Sequence, residues 1–367
     1  MMSLDDREWK PIPIISLFDR FEPGKGKGLN HLEQVTHGIT YVGATNRNNG
    51  VLCFVRVDDS SRKMIQDGNC IGFIKNGDGS AGYAIYKREP FISTSDVIFG
   101  YADWLNPYTG LFFVAAQDMI EHKYSHGYKR NAQHLKGDRV MLPVNDDGQP
   151  DYQFMEDYIR ELMDTKKKQY RGYVKQRLAE LCSVPDNQMV DWKSLIESHD
   201  WKPFYVVSIF PENERGKRLK KADHVQGNVP YASSTGDNNG IDGFIEASEG
   251  TRVFNDCISL ANSGSVGSAF YEPFEFVASD HVTHLKKDGM SKYQYLFLTC
   301  LLKQQSGNFN FNREINDARL KKMQIMLPVT DDGQPDYDFM EEFGRKMMSN
   351  KYNQYLAFLA MSDTIKA

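Results

Sequence analysis

The string MLPVNDDGQPDYQFMEDY, from Met141 to Tyr158, returns almost letter for letter as MLPVTDDGQPDYDFMEEF, from Met326 to Phe343. A chain that contains itself twice folds as two similar bodies. Three further landmarks recur in the same order: Trp-Lys-Pro at Trp9 and Trp201, YVGATNRNNG (Tyr41 to Gly50) against YASSTGDNNG (Tyr231 to Gly240), and Glu-Pro-Phe at Glu89 and Glu272. Matched positions lie about 190 residues apart, far beyond the roughly 20–50 residues of solenoid repeats, so each copy is a whole domain with its own core.

Within each copy, short β-rich runs alternate with turn signals. VLCFVRV (Val51 to Val57), CIGFI (Cys70 to Ile74), YAIY (Tyr83 to Tyr86) and DVIFGY (Asp96 to Tyr101) are matched by GIDGFIEA, CISLA, SAFY and FEFVAS. The segments YTGLFFVAAQDMIEHKYSH and KYQYLFLTCLLKQQ space their apolar residues as buried helices. Each copy therefore reads as α+β, a sheet with one or two packed helices. After each MLPV, Asp-Asp-Gly-Gln predicts a turn and Pro150 or Pro335 a first helical residue. Tyr152, Met155, Ile159 and Leu162 then fall at steps of three and four. A helix of about 30 residues and about 45 Å follows, ending before a Val-Pro-Asp break at Val184. Its C-terminal counterpart runs out near Met361 and reads as shorter. The expected division is 1–149 and 200–334 for the two domains, 150–199 for a central helical spacer and 335–367 for a C-terminal helical region. The two helices are expected to pair antiparallel as a rigid spacer, giving the domains a pseudo-two-fold relation.

Composition excludes several classes. There is no run of 18 or more apolar residues and no charged-then-apolar start, so a membrane role has no support. Five cysteines without CxxC spacing read as reduced thiols, and a cytoplasmic protein is the expectation. The net charge of −5 is unevenly spread: Trp9 to Val140 holds 16 Lys plus Arg against 13 acids, whereas Met141 to Thr165 has one Arg and seven acids, followed at once by KKKQYRGYVKQR. Basic surfaces fit inside an acidic total.

Signals for catalysis are weak. GDGSAG, Gly77 to Gly82, matches G-x-G-x-x-G, but strand and turn follow where a dinucleotide site requires a helix. The second copy keeps only Gly264, Ser265 and Gly267, which fits a tight turn. Asn-Pro-Tyr at Asn106 lacks the second proline of an amino-methyltransferase loop, and the Pro-Asp pairs lack the acid-x-Lys strand of a nuclease. His281 and His284 have ligand-like spacing but no counterpart in the first copy. The chain reads as a recognition protein and not an enzyme, with no metal or cofactor of its own.

Two similar modules at a fixed distance suit a repetitive polymer, and about 45 Å corresponds to about 13 base pairs of duplex DNA. The modules differ most in segments suited to specificity: GATNRNNG against SSTGDNNG, and DRFEPGKGKGLNHLEQ against PENERGKRLKKADHVQ. The doubled Trp-Lys-Pro start, YVGATNRNNG segment, Gly-Ser-x-Gly turn and LPV-x-DDGQPDY-x-FME helix start resemble the specificity (S) subunits of restriction-modification systems. They are most similar to the recognition subunits of the BcgI-like type IIB group, with type I S subunits next. The resemblance implies two target-recognition domains, each reading one half of a bipartite double-stranded DNA site, and helices that dock methyltransferase or fused methyltransferase-nuclease subunits. S-adenosylmethionine and Mg would belong to those partners. By position and chemistry the DNA-binding candidates are Lys25, Lys27, Arg47, Asn48 and Asn49, then Arg215, Lys217, Arg218, Lys220, Asn238 and Asn239. The partner-docking candidates are Tyr152, Met155, Ile159, Leu162, Tyr337 and Met340. The alternatives are a catalytic restriction or methylation enzyme with unrecognised motifs, or a tandem carbohydrate- or protein-binding module.

Overall fold

A computed structural model describes residues 2–364 apart from Lys27, Asp78, His126, 182–190, Glu249 and Phe311. The chain divides into two compact units, Met1–Tyr170 and Arg171–Ala367. The expected break at Val184 lies outside the described residues.

The first unit contains β1 (Glu8–Pro13), β2 (Arg20–Pro23), β3 (Gln34–Val35), β4 (Ile39–Val42), β5 (Val51–Val55), β6 (Cys70–Ile74), β7 (Ala84–Lys87), β8 (Phe91–Ser93), β9 (Val97–Tyr101), α1 (Pro107–Asp118), α2 (Ala132–Gly137) and β10 (Arg139–Val144), and then α3 (Tyr152–Leu181) begins. The fold is α+β, but the expectation of one sheet is corrected: β1 and β10 form an antiparallel ribbon, β2-β9-β6-β7 one four-stranded sheet and β3-β5-β4-β8 another. In the last of these β4 and β8 run parallel, with Tyr41 opposite Ile92. Pro11 and Pro143 sit in the two-stranded ribbon, where each strand has a free edge and a missing N–H costs little. The core gathers Ile14, Phe73, Phe113, Leu142 and Met155, all fully buried or nearly so.

The second unit repeats this plan. After α4 (Trp192–Glu197) come β11 (Trp201–Tyr205), α5 (Val206–Ile209), β12 (Glu212–Arg215), β13 (Gln226–Ala232), β14 (Ile241–Ile245), β15 (Val253–Phe254), β16 (Cys257–Ala261), β17 (Ala269–Glu272), β18 (Phe276–Ala278), β19 (Val282–Lys286), α6 (Lys292–Gln304), α7 (Asp317–Leu320), β20 (Gln324–Pro328) and α8 (Tyr337–Thr364). The sheets are β11-β20, β12-β19-β16-β17 and β14-β13-β18-β15, with β13 and β18 parallel as β4 and β8 are. Phe210, Leu260, Leu298, Leu327 and Met340 build its core.

Three local expectations change. Asp151 and Asp336, one residue after the prolines, accept the Phe154 and Phe339 backbone N–H at 2.9 and 2.8 Å and so cap the helices. Pro150 and Pro335 stand just outside, bridging to Val144 and Val329. The C-terminal helix has 28 residues against the 30 of α3, so it is not markedly shorter. The Glu-Pro-Phe landmark is out of register: Lys87, not Glu89, occupies the place of Glu272, since they lie opposite Cys70 and Cys257 respectively.

Candidate nucleic-acid interface

The repeated helix starts are explained by packing inside each unit. In the first, Asn106 caps α1 and donates from Nδ2 to Glu156 Oε2 at 2.7 Å, while the Arg160 guanidinium lies 3.8 Å from the centre of the Tyr108 ring. In the second, Ser291 caps α6 and bonds Glu341, and Arg345 lies 4.5 Å from the centre of the Tyr293 ring. Each long helix is thus clamped at its first turns onto the shorter helix of its own unit. This corrects the docking assignment. Met155 and Met340 are fully buried, Tyr152 stacks on Trp104 at 4.6 Å, Ile159 and Tyr337 pack on the cores, and Leu162 alone of the six is exposed. Spacing of three and four marks an apolar face without saying which protein covers it, and here the chain's own unit covers it. Farther along, Tyr173 and Tyr352 meet hydroxyl to hydroxyl at 3.3 Å, and Arg177 donates to Tyr352. Both contacts fall within the second unit.

The Asn-Asn-Gly repeats are turns in the left-handed region. Asn48, Asn49 and Gly50 have φ of 48, 49 and 76°, and Asn238, Asn239 and Gly240 have 49, 54 and 79°. Asparagine and glycine are the residues that adopt this conformation most readily, which explains the recurrence. Asn49 also donates to Tyr86 O at 2.9 Å and Asn48 to Val51 O at 3.1 Å. All four asparagines and Arg47 remain exposed. Lys25 is exposed and ion-paired with Glu22 at 2.8 Å. Lys27 lies outside the described residues. Arg215 is held inside its unit by Asp317 at 2.8 Å and Ile315 O at 3.2 Å, so two of its donors are spent on the fold. Lys217, Arg218 and Lys220 are exposed on the loop after β12.

Arg218 and Lys220 border a cleft of about 670 Å³ whose lining includes Tyr231, Asp242, Phe244 and His281. Its strand side is β14, and β14 and β5 share one exposure pattern: Leu52 and Phe54 face solvent in the first unit, Asp242 and Phe244 in the second. Leu52 is 55 % exposed, Phe54 40 % and Phe244 52 %. The sequence did not mark these positions, because Val51–Val55 is apolar throughout and Ile241–Ile245 reads simply as a strand.

The motifs set aside for catalysis take structural roles. Gly79 and Gly82 have φ of 67 and 93°, and Gly264 and Gly267 have 60 and 84°, in hairpin turns. His281 shares a hydrogen bond with Ser263 at 2.6 Å, whereas His284 is buried on β19 against the Glu214 backbone and the Phe254 ring. Burial lowers the His284 pKa. Among the described residues no group of three or more His, Cys, Asp or Glu side chains is placed to hold a metal ion, and no helix is long and apolar enough to cross a membrane.

Residues 198–355 match the family model of the type I restriction modification DNA specificity domain. The matched stretch lies within the second unit. The first unit shares its sequence landmarks and repeats one of its sheet orders, β2-β9-β6-β7 against β12-β19-β16-β17. It is 31% identical over 234 residues to the specificity subunit S.BcgI of the type II restriction enzyme BgcI from Heyndrickxia coagulans, an alignment covering 62% of this chain and 64% of that protein, slightly under two thirds of its length. Among solved structures it is similar to the type I restriction-modification S subunit from M. genitalium (16% identity, TM-score 0.47, 100% of this chain and 96% of the other). It is also similar to the HsdS subunit from Thermoanaerobacter tengcongensis (12%, 0.31, 98% and 92%).

Proposed function

We propose that this chain is the DNA-specificity subunit of a restriction-modification complex, in which each unit reads one half of a bipartite duplex site. The observation that carries the reading is a scaffold whose strand pairings recur, β2-β9-β6-β7 as β12-β19-β16-β17 and β5-β4-β8 as β14-β13-β18, under loops and outward faces that differ: Leu52 against Asp242, and the Lys25 loop against the Lys217–Lys220 loop. A protein with one target would have no use for two unlike surfaces on like frames. Lys25, Arg47, Lys217, Arg218 and Lys220 neutralise phosphates, and the exposed Asn-Asn-Gly turns contact the same duplex. Methyltransferase or methyltransferase-nuclease subunits dock on the exposed face of the long helices, and those subunits supply S-adenosylmethionine and Mg chemistry. The complex acts in the cytoplasm, where the DNA is.

Salt titration of duplex binding by the complex tests the class of ligand. Neutralising about five phosphates makes affinity fall by about 500-fold between about 50 and about 200 mM salt. A salt-insensitive interaction would favour a protein- or carbohydrate-binding module, and methylation or cleavage by the purified chain alone would favour a catalytic enzyme.

A further inference from the structure

Resting on the DNA-reading function above, we propose that Asp242 is a specificity-determining residue that reads a cytosine amino group in the half-site of the second unit, and that Leu52 is its apolar counterpart in the first.

Three observations place the reading surface there. First, β5 and β14 present the same pattern of exposure, so residues 52 and 242 occupy one place on two copies of one strand. Each is followed two residues later by an exposed phenylalanine. A face that projects Leu52, Phe54 and Phe244 into water is costly for a protein that never covers it. Second, the substitution changes shape as well as charge. Leu52 lies over Gly43, with its Cδ1 2.4 Å from where a β-carbon on that glycine would stand. Ser233 takes the place of Gly43, since their N–H groups donate to Gly240 O and Gly50 O in the two matching turns. With Asp242 in place of the leucine, Ser233 and Asp242 both line the open cleft.

Third, the cleft lining carries charges of both signs. Arg218 and Lys220 stand with Asp242 and Asp280, and no hydrogen bond or ion pair engages the side chain of Arg218, Lys220 or Asp242 among the described residues. A wall of cations alone would suit phosphates and nothing more. Cations that share a cleft with an unpaired carboxylate suit the duplex edge, where phosphates border a groove of donors and acceptors. An ionised carboxylate only accepts hydrogen bonds. In the major groove guanine offers acceptors and thymine an acceptor beside a methyl group, while adenine places its amino group next to an acceptor. Cytosine alone presents an amino donor without an acceptor beside it. At position 52 a leucine has no hydrogen bond to give and makes apolar contact of the kind a thymine methyl accepts.

The test is selection from a randomised duplex pool by the full-length chain, in the complex in which it is purified from its host, comparing wild type with Asp242→Asn, Asp242→Leu and Leu52→Asp. The expected result is that wild type enriches a split motif and that either Asp242 variant loses preference at one C·G pair of one half by about tenfold or more, the other half being unchanged. Leu52→Asp alters one position of the opposite half. An identical motif from every variant overturns the assignment. So does loss of all enrichment by folded Asp242 variants, because removing a carboxylate from a DNA-facing surface lowers repulsion from phosphate. If wild type itself enriches nothing, the DNA-reading function has failed and not merely the assignment of Asp242.

Discussion

In the first unit the Arg130 guanidinium donates from Nε to Asp138 Oδ2 at 2.8 Å, both side chains being sealed from water. Tyr124 donates to the other carboxylate oxygen at 2.8 Å, and Arg130 and Gln117 each donate to Gly82 O at 3.0 Å, pinning the turn between β6 and β7. The matching positions of the second unit hold Ile315, Met323, Leu302 and Phe309, of which the first three are buried in its core. One backbone thus carries a polar cluster in one unit and an apolar one in the other.

Breaking the polar cluster from one side leaves a buried charge unpaired, so Arg130→Ala should destabilise the first unit by about 3–5 kcal/mol. Replacing Arg130, Asp138, Gln117 and Tyr124 together by their second-unit counterparts should cost little or even stabilise, because the apolar set is known to fit the same frame. Urea unfolding resolved by hydrogen exchange in each unit checks both. A quadruple variant as unstable as the single one would contradict the account.

Glu272 gives the second unit a pH dependence. It is almost fully buried, and burial raises its pKa from 4.5 to about 7 despite the hydrogen bond from Ser259 at 2.9 Å. A folded state that holds the proton more tightly than the unfolded chain is favoured most below about pH 4.5, and that contribution is lost as pH rises through about 7. Glu272→Gln should therefore flatten the decline and raise stability at about pH 8 by up to about 3 kcal/mol. Asp118 in the first unit, raised by burial to about 6, acts with the same sign.

The long helices separate folding from assembly. Met155→Asp and Met340→Asp place a carboxylate in a sealed core and should unfold their units. Leu162→Asp, on the exposed side of α3, should leave thermal stability within about 0.5 kcal/mol of wild type while weakening co-purification of the methyltransferase. Full recovery of the partner with Leu162→Asp would remove this face from the docking surface.

Exchanging the first unit for that of a relative with a different target should change one half of the recognised site and leave the other intact. A change in both halves would mean that the units do not read independently.

Much of this architecture was legible in the chain. Cys70–Ile74 and Cys257–Ala261 are mostly apolar runs bounded by turn residues, so their strands could be read to the residue. The second sheet in each unit was not legible. Its strands β3, β8, β15 and β18 have two or three residues, too few for alternation to register, and its parallel pairing joins Tyr41 to Ile92 across some fifty residues of sequence. Residues at Asn48 and Asn238 were legible as turns or as readers, and their backbone requires the turn whatever else they do. Leu52 and Asp242 were visible only once their shared exposure was known, because nothing in a strand's sequence says which face meets a partner.

The most direct test of the central claim is base-resolution mapping of methylation across the host genome with this gene intact and with it deleted. The account predicts that deletion removes methylation at one split motif, two short specific halves around a fixed gap, and at no other. Methylation of an unchanged set of sites in the two strains would contradict it.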